Sequence, residues 1–174
     1  MSSGFANSAF SQLRNSARTA AVTIRVTRQT LDEIERHAME SYPRECCGAV
    51  FGEADRERVR RIENIQDRLH AEDPAAYPRD SSTAYFMDPR QLYAVLREAE
   101  QTLSPIRVFY HSHPEHGAYF SEEDAARAMA WDEPAYPGAS YLVVSVMNGR
   151  VADRLAVSWD AERRRFAATE LAVV

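Results

Sequence analysis

A mixed α+β domain is the architecture this sequence predicts, and three stretches predict it. Near the start, Val22-Thr23-Ile24-Arg25-Val26 alternates as a half-buried strand does, and a helical stripe of Leu31, Ile34, Ala38 and Met39 follows. Towards the end, Ser140 to Met147, Arg150 to Trp159 and Arg164 to Val173 read as consecutive strands, the first two joined by the hairpin dipeptide Asn148-Gly149. Between them, Asp88 as N-cap and Pro89 at the first helical position open a second long helix. At 174 residues and 45% hydrophobic content, the chain fits one globular domain with a sizeable core.

The elements follow in order. The first helix ends before Pro43, and strands are expected near 46–51 and 57–65. The helix opened by Pro89 turns Leu92, Val95, Leu96 and Ala99 to one face. Ile106 to Tyr110, β-branched and aromatic after Pro105, reads as a strand, and a helix is expected from Ser121 to Trp131. Residues 66–83 and 132–139, rich in Pro with Asp or Tyr, read as irregular loops of a length that tends to be functional or mobile. Before the domain, taken as 21–174, residues 1–20 read as a flexible tail. The first 31 residues hold no Asp or Glu but carry Arg14, Arg18, Arg25 and Arg28, with no secretory-type apolar core. Phe5, Phe10 and Leu13 suit docking on the domain or on a neighbouring subunit, as in a homodimer.

The chemistry gathers at His111-Ser112-His113-Pro114 and Ser121-Glu122-Glu123-Asp124. Alternation along a strand puts His111 and His113 on one face and Ser112 on the other, so two imidazoles can meet one ion. Ser121 and Asp124 stand three apart at a helix start, which brings hydroxyl and carboxylate together and also matches a capping box. Three nitrogen and oxygen donors with a fourth position left for water is the pattern of a catalytic zinc. Hydrolysis at such a site also needs a carboxylate to carry a proton to the leaving amine. The best candidate is Glu45, in Tyr42-Pro43-Arg44-Glu45-Cys46-Cys47-Gly48, at the mouth of a short apolar strand. Local sequence alone favours reading Glu45 as an exposed turn residue, since nothing nearby ties it to the histidines.

Glu45 before a Cys-Gly strand, His111-x-His113-Pro114 and Ser121-x-x-Asp124, in this order, resemble the JAMM (MPN-plus) zinc metalloproteases, specifically their short prokaryotic members. The likeness reaches Asn64 and Tyr85-Phe86-Met87-Asp88-Pro89 and spans about residues 22–160. It implies a cytidine-deaminase-like fold, a curved mixed sheet flanked by helices. It further implies that His111, His113 and Asp124 ligate Zn2+, that Glu45 is the general acid/base and that Ser121 stabilises the oxyanion. The implied partners are proteins of the ubiquitin fold cut after a C-terminal Gly-Gly, with a sulfur-carrier protein favoured by the absence of long inserts. A deconjugating, deubiquitinase-like isopeptidase is the alternative, and a metal-free MPN-type scaffold the rival from another class.

Other chemistries fit less well. Barrels that use a His-x-His pair typically need about 250 residues. Zinc deaminases use His-x-Glu with Pro-Cys-x-x-Cys, which is absent. The adjacent Cys46 and Cys47 cannot clip the fold with an ordinary disulfide, which points to a reducing cytoplasm, and alternation lets only one of them face a site. A net charge of −5 gives no footprint for nucleic acid, and no window is long enough for a membrane span. His37, His70 and His116 are expected to be solvated.

Overall fold

The computed structural model describes residues 23–53 and 56–174, so the tail lies outside the described residues. In chain order the elements are β1 (Thr23–Val26), α1 (Arg28–Ser41), β2 (Cys47–Phe51), β3 (Arg58–Ile62), α2 (Gln66–Glu72), α3 (Pro89–Gln101) and β4 (Ile106–Pro114). Then come α4 (Glu122–Arg127), β5 (Met129–Ala130), β6 (Glu133–Pro134), β7 (Ser140–Met147), β8 (Arg150–Asp160) and β9 (Arg165–Val173). Seven strands form one mixed sheet in the order β1-β9-β8-β7-β4-β2-β3, while β5 and β6 make a separate ribbon. β4 lies inside the sheet, antiparallel to β2 and parallel to β7.

Strand alternation divides the core into two layers. Val108 and Tyr110 face α1, packing with Ile24, Val26, Leu31, Ile34, Ala38, Cys46 and Leu142. Phe109 faces the other way, with Cys47, Ala49, Phe51, Tyr141 and the Val95 and Ala99 of α3. The same two-residue period carries His111 and His113 onto the α3 side and Ser112 onto the α1 side, where its hydroxyl accepts the Cys46 N–H at 2.9 Å. Asp88 caps α3 by accepting from the Arg90 and Gln91 N–H groups, and Asn148 and Gly149 both take positive φ in the β7–β8 hairpin, as a type I′ turn requires.

Four expectations are corrected. Residues 66–83 are not wholly irregular: α2 forms there without a regular apolar stripe, because the Asn64 side chain accepts the Gln66 N–H and buried Gln66 donates to the Arg79 carbonyl. The site helix stops at Arg127 rather than Trp131. So short a helix is marginal alone, and a tertiary bond from the Ala135 N–H to the Ala128 carbonyl draws the chain into the β5–β6 ribbon. Met39 lies beyond the buried stripe of α1 and is 40% exposed. The strand expected over 57–65, β3, ends at Ile62, leaving Asn64 in an isolated bridge to Met87.

Candidate metal centre

The site begins at the end of β4. His111 and His113 are both buried, and their Nε2 atoms stand 3.1 Å apart. His111 Nε2 is 3.5 Å from Oδ1 of Asp124, which α4 supplies, and one ligand atom from each residue lies within 4.8 Å of the others. Tetrahedral zinc with bonds of roughly 2.0–2.1 Å has ligand-to-ligand edges of about 3.3 Å, close to the 3.1 and 3.5 Å separations made by His111, so the donor chemistry and spacing suit such an ion. His113 donates its Nδ1–H to the Gly117 carbonyl at 3.1 Å, which leaves the Nε2 lone pair for the centre. Tyr85 stacks on the His111 ring and Tyr119 packs against that of His113. Burial, then the neighbouring His111, lowers His113 to a pKa of about 4, which keeps the ring neutral and able to ligate.

Asp124 divides its oxygens between two tasks. Oδ2 accepts the Ser121 N–H at 2.8 Å and the Ser121 hydroxyl at 2.6 Å, while the Asp124 N–H returns to Ser121 Oγ at 3.0 Å. The capping box is therefore real and compatible with a site, since it leaves Oδ1 aimed at His111. Burial alone would raise the Asp124 carboxyl, but His111 and Ser121 outweigh it and hold it well below the usual range.

Glu45 is only 7% exposed, not the exposed turn residue that local sequence allows. The register that pairs Cys47 with His111 carries it to the centre, where it shares a cavity of about 90 Å3 with His113, Ser121 and Asp124. Burial, then the Asp124 charge, pushes its carboxyl up to about 8, and a cation at the centre would pull that value back. Asn64 fixes the approach: its Nδ2 donates to the carbonyls of Glu45 and Ala84, and its Oδ1 accepts from Gln66 and Phe86, using all four of its hydrogen-bonding positions. Arg79 and Arg127, which sequence reasoning missed, line the same cavity and both pair with Glu123. Arg127 stands at i+3 from Asp124, a helical spacing that could have exposed it; nothing local marks Arg79.

The remaining candidates settle plainly. His37 is not solvated: it is half-buried, its Nδ1 2.9 Å from the Tyr110 hydroxyl. His70 is also half-buried, with Nδ1 2.7 Å from the Tyr77 carbonyl. His116 is exposed but lines the cavity of Glu45, His113 and Asp124. Both cysteines are free and buried, and burial pushes the Cys46 thiol up to about 12 and the Cys47 thiol well above its ordinary value, so neither is a ready nucleophile.

Two histidines, a carboxylate and a buried glutamate on a mixed sheet define the class as a hydrolase with a metal-type centre. A family profile described as prokaryotic homologs of the JAB domain matches residues 27–162, and the chain belongs to that prokaryotic branch of the JAMM/MPN family. It is 32% identical over 118 residues, 66% of this chain and 74% of the other, to a Haloferax volcanii protein named Desampylase. A solution structure from Desulfitobacterium hafniense aligns with a TM-score of 0.63 at 22% identity, covering 87% of this chain and 92% of that one. One from Salinibacter ruber gives 0.54 at 24% identity with the same coverage, and both likenesses show the fold.

Proposed function

We propose that the protein is a zinc-dependent metallopeptidase that hydrolyses the bond after the C-terminal Gly-Gly of a ubiquitin-like protein, with a sulfur-carrier protein as the first candidate substrate. The observation that carries this reading is the cluster of His111, His113 and Asp124, two of which, His113 and Asp124, line one cavity with buried Glu45. The likeness to the Haloferax protein named Desampylase supports action on ubiquitin-like conjugates and favours an isopeptidase as the second reading. All three ligand positions are filled, which speaks against a metal-free scaffold.

Zinc, when bound, polarises the carbonyl and lowers the pKa of water to roughly 7. Glu45 then accepts the water proton and returns it to the leaving amine. Ser121, once its hydroxyl turns from Asp124, donates to the developing oxyanion. Because the proton leaves through Glu45, the amine side of the substrate belongs beside it. The acyl side then enters a neighbouring apolar cavity of about 340 Å3, which shares Tyr85, Asp124 and Arg127 with the metal cavity. Residues 84–87 border that path. Phe86 is tied on both main-chain groups to Asn64 and Ile65, so those of Tyr85 and Met87 face the other way; the Tyr85 carbonyl accepts from Arg127, and the Met87 groups are left to pair with an extended tail. A glycine tail offers little else to grip.

Metal analysis should find about one zinc per chain, lost on replacing His111, His113 or Asp124 by Ala; full zinc in His113→Ala would refute the site. A carrier ending in Gly-Gly-X should be cut before X, and its Gly→Val variants far more slowly. Equal rates on both would mark a general peptidase.

A further inference from the structure

The β5–β6 ribbon holds Trp131 at its tip, and that residue is 98% exposed. Its φ of 62° lies in the left-handed region, uncommon for any residue but glycine. The ribbon is nonetheless pinned. The Ala135 N–H donates to the Ala128 carbonyl at 2.8 Å, and Arg164 donates to the Asp132 carbonyl at 2.8 Å and pairs with Glu133 at 3.3 Å. The strained turn and its ties together hold the indole out in water.

The feet of the ribbon indicate what it contacts. Ala128, just before β5, and Tyr136, just after β6, both line the apolar cavity that continues from the metal centre. Trp131 lies three residues beyond Ala128, about 10 Å along an extended chain. A tail lying in that cavity would pass the feet of the ribbon that carries the indole.

We propose that Trp131 is the anchor for the folded body of the ubiquitin-like substrate, meeting an apolar patch beside the root of its C-terminal tail. The inference rests on the proposed function, since it takes the cavity as the tail's path. Tryptophan is among the residues most enriched at the energetic centres of interfaces, and one such anchor commonly outweighs the contacts around it.

The test compares two substrates: a folded ubiquitin-like carrier with aminocoumarin on its terminal glycine, and the free pentapeptide of that tail with the same fluorophore. In Trp131→Ala the KM for the folded carrier should rise roughly 10- to 30-fold with kcat unchanged, while kinetics on the pentapeptide stay as in wild type. An unchanged KM, or equal shifts on both substrates, overturns the inference. Titrating labelled, intact carrier into Glu45→Gln and Glu45→Gln/Trp131→Ala proteins reads the contact without turnover. If wild type cleaves neither substrate but the titration still shows Trp131-dependent binding, the proposed reaction fails and the docking surface stands. Sedimentation that shows a dimer dissociating in Trp131→Ala, with carrier binding unaffected, assigns the residue to self-association instead.

Discussion

The roles proposed for Glu45 and for His111, His113 and Asp124 are separable by experiment, because a base that does not hold the ion can be changed without releasing it. Glu45→Gln should keep the fold and the metal while turnover falls about 10²–10⁴-fold, checked by metal analysis beside steady-state kinetics. Ser121→Ala should lose about 10²–10³-fold and, with the capping box broken, about 1 kcal/mol of stability in denaturant titration. The pattern of the proposed ligands is legible in sequence because its spacings are local: two residues on a strand, three at a helix start. Glu45 joins them only through the pairing of β2 with β4, a contact between residues more than sixty apart in the chain, so periodicity is silent on it and the family likeness supplied the assignment. His37 escaped for the same reason, since its partner Tyr110 comes from β4.

Among the elements, β2 shows why a glycine stands where a larger residue would add strand propensity. A Cβ on Gly48 would lie 2.4 Å from the Tyr110 hydroxyl and 2.5 Å from the Arg60 carbonyl, one wall a buried ring and the other backbone. Gly48→Ala should therefore cost at least the 1–3 kcal/mol typical of overpacking, and because β2 carries Glu45 to the centre it should also lower kcat. Thermal unfolding beside activity per folded molecule separates the two effects. The long helices, the hairpin at Asn148-Gly149 and the strand order along the chain are readable because periodicity, caps and turn residues agree. Helix α2 is not, since its seven residues lack an apolar stripe and depend on Asn64 and Gln66. The early end of α4 hangs on the bond between Ala135 and Ala128, which no local propensity encodes.

For the molecule as a whole, His37 sets a direction for acid sensitivity. Burial, then Arg61, lowers its pKa from 6.5 to about 4, so between those values the unfolded chain binds more protons than the folded one. The stability this contributes is present above pH 6.5 and is lost as pH falls through 4. His37→Gln should flatten the pH dependence of unfolding in that window, whereas an unchanged slope would assign the acid sensitivity elsewhere. Because β4 is paired on both sides, its amides should exchange with deuterium only when the whole sheet opens. Helix α4 is six residues long and is tied down mainly by side chains, so its amides should exchange through small local openings. An ion bound by His111, His113 and Asp124 joins these two regions. Chelation should leave protection in β4 nearly intact and strip it from residues 122–127, so that the centre works as a staple between the slowest-opening and fastest-opening parts of the protein.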